Sequence, residues 1–320
     1  MRRPLPSAIF KRLLLPVLLA AASILTPQTA RAQFERYRGV PLATIEYQRL
    51  QDLKLALSSE EQNASQERAL NFDNLRITGS LPVPLRGNDT LLIPTIRFEH
   101  LWVAPETAPS LRLGIFDTRL TLRQALGSGW SFAPSVNLGF ASNFEGLGSR
   151  DLFGGGSLVV TKALADGTVI LGGGLALTAA ADGILPVPLV IIRWCPRPDF
   201  WLAVAAPAVL DIGYAPSQRI ELGLRARING IRYTLRGIDG VEAVRNATFT
   251  AGPSLAIRLI GGFHLRLTGG AASLIQLDLQ RTRSDDLVVS SGDSLSWFAS
   301  ASVEFRVFPS ARKPAAIEDD

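Results

Sequence analysis

The sequence predicts an all-β fold: an antiparallel, up-and-down transmembrane β-barrel of about twelve strands (range about 10–14), behind a signal peptide. Three observations predict it. Residues 1–32 have the layout of a secretory signal. The remainder alternates apolar and polar residues in runs of roughly ten, punctuated by Gly, Asn, Asp, Ser or Pro. Beyond the signal, no apolar run reaches the length of about twenty residues that a spanning helix needs.

The signal comes first. Arg2, Arg3, Lys11 and Arg12 form a basic region, Leu13 to Leu25 an apolar one, and Ala30-Arg31-Ala32 an A-x-A-like cleavage site. Pro16 interrupts the apolar run, which argues against an uncleaved anchor. The expected organisation is therefore a signal peptide over 1–32, a barrel domain over 33–308 and a polar tail over 309–320. Of 33 basic residues, five lie in the signal, so 28 basic residues face 28 acidic ones in the mature chain. The basic pI is then no argument for a nucleic-acid partner. A single cysteine, Cys195, excludes an internal disulfide framework.

The strands follow in order. Leu42 to Arg49 and Asp52 to Leu57 alternate, then a polar stretch runs from Ser58 to Arg68. Phe72 to Val83 alternates, and Arg86-Gly87-Asn88-Asp89 reads as a turn. Leu91 to Val103 and Leu111 to Arg123 come next, the second with Asp117, Arg119, Thr121 and Arg123 on one face. Trp130 to Phe144 leads to a loop over Glu145 to Asp151. Leu152 to Leu164 and Thr168 to Ala179 form a hairpin about Ala165-Asp166-Gly167. Their triplets Gly154–Gly156 and Gly172–Gly174 suit a sharp bend or a bulky neighbour; no lysine and no helix follows to make a phosphate loop.

Ile184 to Trp194, Asp199 to Ala205 and Val209 to Tyr214 are further strands. Gln218 to Leu235, QRIELGLRARINGIRYTL, reads as two strands joined by a two-residue turn at Asn229-Gly230. That turn sets Arg227 opposite Arg232 and Arg225 opposite Thr234. Arg225, Arg227, Arg232 and Arg236 then share one face, a candidate basic strip lining the lumen, with Leu224 and Ile228 on the other. Short turns of barrels lie on the periplasmic side, so Asn229-Gly230 is expected there, with Glu145 to Asp151 and Arg281 to Asp293 outside. Asn246 to Ile260, Phe263 to Leu279 and Leu295 to Phe308 complete the set. Asp285-Asp286 reads as solvated loop charge.

In the last strand Trp297, Ala299, Ala301, Val303 and Phe305 oppose Ser300, Ser302, Glu304 and Arg306. So many alanines and glycines on an apolar face suit lipid better than a sandwich core. Trp102, Trp130, Trp194, Trp201 and Trp297 all fall near strand ends, as an interfacial girdle would place them. Pro94, Pro134, Pro186, Pro188 and Pro253 are expected to mark bulges or strand starts.

The stretch from Gly172 to Leu235 carries a glycine-rich strand, Asp182, Leu185-Pro186, an apolar run into Trp194 and Pro196, then Ala206-Pro207 and Tyr214. It resembles an uncharacterised family of bacterial outer-membrane barrels classed as a domain of unknown function. The resemblance implies a barrel in the outer membrane of a diderm bacterium. It implies no substrate and no catalytic residues.

Only His100 and His264 could supply imidazole, and no Gly-x-Ser-x-Gly elbow surrounds a serine. No catalytic residue, cofactor or metal site is expected, and the chain is not read as an enzyme. The expected partners are outer-membrane lipid and small anionic solutes. Two readings of the arginines stay open: an anion-favouring passive pore or small-solute transporter, or a plugged lumen in which carboxylates such as Glu221 neutralise them. A soluble exported β-sandwich is the alternative from another class.

Overall fold

Alternating residues can bury nothing on one face alone, and here they resolve the problem by closing one sheet on itself. The structure, a computed structural model, describes residues 41–57, 66–85, 89–105, 111–180, 183–197, 199–237, 241–281, 287–289 and 295–306. The expected signal peptide, the polar tail and Asp285-Asp286 lie outside them.

The strands in chain order are β1 Ala43–Leu57, β2 Gln66–Ser80, β3 Val83–Pro84, β4 Thr90–Pro105, β5 Leu111–Gly127, β6 Trp130–Ser142, β7 Leu152–Leu164, β8 Val169–Ala180, β9 Gly183–Arg197, β10 Phe200–Ala206, β11 Val209–Tyr214, β12 Ile220–Thr234, β13 Val241–Arg258, β14 Phe263–Arg281, β15 Leu287–Val289 and β16 Ser296–Phe305. β3 and β15 are short additions to β4 and β14. The other fourteen form a closed antiparallel ring, sealed where β1 pairs with β16, Ala43 opposite Phe305. Closure removes the exposed edges that an open sheet would carry. The end holding Ala43 and Phe305 is called the terminal end here. The end holding the 143–151 connection is the loop end.

Each strand sends alternate residues to opposite sides of the wall. Along β16, Ser296, Phe298, Ser300, Ser302 and Glu304 are buried, while Trp297 is 72% exposed and Val303 is exposed too. The ladders carry this split round the ring: Glu304 stands opposite Thr44 and His264, Glu46 opposite Arg76, Arg76 opposite Glu99. The outer face is apolar, with Ile96, Phe98, Leu138, Leu158, Leu175, Leu222 and Leu224 uncovered. A continuous apolar exterior around a polar interior is the pattern of a barrel in lipid.

Four tryptophans face outward, Trp130 and Trp194 near the terminal end and Trp102 and Trp297 near the loop end. Trp201 departs from the expected girdle. It faces inward, packed where a side chain on Gly213 would otherwise sit. The five prolines lie within strands rather than at their starts, on the outward face. At the glycine triplets, a Cβ on Gly156 would meet the Ser135 carbonyl at 2.9 Å, and one on Gly172 the Val160 carbonyl at 2.6 Å. The missing side chains let neighbouring backbones crowd where the wall curves.

The expected hairpin at Asn229-Gly230 is not formed. β12 runs straight through both residues and pairs with β13 without a break from Ile220↔Ile257 to Thr234↔Ala243. Fifteen consecutive ladder positions outweigh one local turn preference. The chain instead turns after Thr234, where Gly237 takes the left-handed φ of 69°. The periplasmic placement expected for that turn falls with it.

Candidate functional site

The straight course of β12 re-sorts the four arginines. Glu221, Arg225 and Arg227 share its inward face with Asn229, whereas Arg232 lies an odd number of residues from Arg227 and so points outward. Arg236 lies past the strand, where its Nη2 is 2.8 Å from Asp151 Oδ2 beneath Gly148. The predicted strip is thus two neighbours on one wall and two residues elsewhere.

Neither inward arginine stands alone. Arg225 Nε donates to Asp211 Oδ2 on β11 at 3.1 Å. Arg227 Nη1 lies 3.5 Å from Glu46 Oε2 on β1, reached through the interior. Glu46 also takes Arg76 Nη1 at 3.7 Å and accepts a hydrogen bond from Ser300. Arg76 in turn grips Glu99 with two donors, at 3.0 and 3.1 Å, and Asn74 adds a third at 2.7 Å. Arg97 bridges Glu99 and Asp117.

A second cluster sits nearer the terminal end. Arg266 donates to Glu304 at 2.8 Å and to Glu221 at 3.1 Å. Arg306 donates to the same two carboxylates, to Glu304 at 2.9 Å and to Glu221 at 2.8 Å. Two carboxylates and two guanidiniums thus close a cycle across β12, β14 and the end of β16, with net charge zero. Glu304, Arg266 and Arg306 are almost wholly buried. Charges removed from water persist only when paired and hydrogen-bonded in this way.

Beside the first cluster lies a small polar space lined by Glu46, Gln48, Arg76, Arg225, Arg227 and Asn229. Toward the loop end the lining becomes apolar: Leu50, Phe72, Leu101, Leu113, Tyr233 and Phe298, each from a different strand, pack together. The 143–151 connection folds against the end of β12, where Thr234 pairs with Ser142 of β6 and Asn143 N–H donates to the Thr234 carbonyl.

The two histidines are on opposite faces. His100 points outward beside Trp102, ring centroids 4.2 Å apart, while His264 is buried inside with Nδ1 3.1 Å from the Gly262 carbonyl. Among the described residues no three His, Cys, Asp or Glu side chains converge as a metal site would. Sequence reasoning missed Glu46, Arg76, Glu99 and Asp211. Their signal was available: each is a charge at an inward position among apolar outward neighbours.

Solved barrels show a weak likeness. Outer membrane phospholipase A from Escherichia coli is 12% identical, with 88% of this chain and 100% of that chain covered and a TM-score of 0.37. The translocator domain of autotransporter NalP from Neisseria meningitidis is 12% identical over 87% and 96%, TM-score 0.34. A TodX monoaromatic hydrocarbon channel mutant is 12% identical over 84% and 91%, TM-score 0.35. What makes this chain an outer-membrane-type barrel is its own closed ladder and its two faces. No curated protein matches the sequence. A family model matches residues 111–306, from β5 to the Arg306 that closes the charge cycle, and the chain belongs to that family, DUF6268, a domain of unknown function.

Proposed function

We propose that the protein is an integral outer-membrane barrel whose axis is plugged by its own side chains, rather than an open pore. The observation that carries this is the tie from Arg227 to Glu46 across the interior, stacked between the Glu304 cycle and the apolar layer around Tyr233. An ion moving along the axis would have to displace paired charges on one side and packed apolar groups on the other. An open porin-like lumen keeps water along its whole length. The terminal end faces the periplasm in this reading, and the 143–151 connection faces outside.

The experiment is conductance of the refolded chain in a planar bilayer. The expected result is insertion without a steady open channel. Steady ohmic conductance with anion preference would overturn the plug and favour the passive pore for small solutes. Recovery as a monodisperse soluble protein without detergent would overturn the membrane assignment itself.

A further inference from the structure

The ring wall is not of even height. β10 and β11 are short, 7 and 6 residues, between the longer β9 and β12. Pairing of β9 with β10 stops at Val190↔Ala206, and pairing of β11 with β12 stops at Val209↔Arg227, capped by Ile228 N–H donating to the Ala208 carbonyl. Above that hairpin, residues 183–189 of β9 and 229–233 of β12 flank a gap with no strand between them among the described residues. At the loop end Thr234 pairs with Ser142 of β6, not with β9, whose residues there pair with β8 alone. The wall therefore has a side window.

The bare edge of β9 carries a device suited to hydrocarbon. Cys195 N–H donates to Thr168 next to β8, and β8 and β9 keep one register throughout, so odd residues of β9 turn their N–H toward β8. Even residues turn theirs toward the window, and there they are Ile184, Pro186 and Pro188. Two of the three donors that would face the gap are deleted by proline. In water an unpaired edge donor is hydrated at little cost; in lipid it is not.

The window lies at hydrocarbon depth. From Trp194 at the terminal end to Ile184 is ten residues, about 34 Å of strand, or about 26 Å of height at a tilt of about 40°, close to the apolar belt of about 25 Å. Val190, where the window begins, stands within that belt.

Behind the window the interior changes character. The inward faces of β7, β8 and β10 carry no charge, and that of β9 carries only Arg193. Leu185, Val187, Leu189 and Ile191 line β9 from inside. Ile184 is 71% exposed and the adjacent Leu185, on the opposite face, is 64% exposed, so β9 is uncovered on both sides. The two interior charge clusters described above are built on β1–β5 and β11–β16 instead.

Resting on the membrane reading above, we propose that the window between β9 and β12 admits the acyl chain of a membrane lipid into this apolar half. The surface that continues into the window is the lipid-facing belt itself, so lipid is the neighbour the opening meets. The plug closes the axis while leaving this side path open.

The test uses the full chain refolded into vesicles containing lipid brominated along its acyl chains. A Cys195→Ser background carries one new cysteine bearing a fluorophore, at Leu189, Leu222 or Thr268, with folding checked by heat-modifiable migration. Leu222 faces outward, Leu189 faces the apolar half, and Thr268 faces the paired charges. The expected result is loss of fluorescence at Leu189 comparable with that at Leu222, and none at Thr268. Quenching at Leu222 without quenching at Leu189 overturns the lipid window and leaves the membrane barrel standing. No quenching at Leu222 overturns the membrane barrel. If Leu189→Cys does not fold, Val187→Cys reports on the same space with the same outcomes.

Discussion

Arg227 on β12 and Glu46 on β1 meet inside the barrel, Nη1 to Oε2 3.5 Å, although β13, β14 and β16 stand between their strands along the wall. The pair is a strut across the interior rather than a link between neighbours. Glu46 also serves Arg76, so one carboxylate joins two walls.

Glu46→Gln should therefore loosen the fold. The side chains of Arg227 and Glu46 are 30% and 17% exposed, so partial hydration softens the loss to about 1–2 kcal/mol, below the 3–5 of a fully buried pair. Urea unfolding of the refolded protein in detergent measures it. Adding Arg227→Met should cost less than the two changes summed, because the second removes a charge the first left unpaired.

Glu304→Gln should cost more, about 3 kcal/mol, because Arg266 and Arg306 are only 6% and 7% exposed and would share Glu221 alone. The same titration would count against the charge cycle if this variant proved no less stable than Glu46→Gln.

Leu224 is exposed on the outer face, and Arg225 faces its neighbour Asp211. Leu224→Arg should depress insertion into vesicles, since arginine on the lipid face near the midplane costs about 2–4 kcal/mol. Arg225→Leu should be milder, and Asp211→Asn alongside it should recover part of the loss. Equal folding yields for Leu224→Arg and the native chain would mean that this face does not meet lipid.

Gly230→Ala separates the straight strand from a turn. In β12 a Cβ there meets only ordinary contacts, the nearest being the Ala247 Cβ at 3.5 Å. The variant should be neutral or gain up to about 1 kcal/mol, whereas a type I′ turn would be strained by it. Gly252→Ala should by contrast impair folding, because its Cβ would run into the Gly269 backbone and reach the Gly270 Cα at 2.8 Å. Folding yields of the two variants give the comparison.

Much of the wall was legible in sequence because a two-residue period needs no partner to be seen. Trp297 to Arg306 displays both faces of β16 in a single line, and Arg225 with Arg227 displays the inward face of β12. The Asn229-Gly230 reading failed because a turn signal is local while the ladder to β13 is not; folding the strand back there carried Arg232 to the wrong side. The carboxylates that hold the arginines were hidden for another reason. Glu46 and Arg227 are far apart in sequence, and their meeting depends on ring closure and register. The window was hidden likewise, since the lengths of β10 and β11 matter only against those of their neighbours.

The pairing of Ala43 with Phe305 has a consequence for how the molecule is made. The first described strand waits for the last, so one of its edges stays open for nearly the whole of synthesis. During that time the chain carries a long row of unpaired donors and acceptors, the template on which aggregation starts. A chain of this topology must be chaperoned while it waits, and a truncation removing only β16 would leave it permanently unclosed.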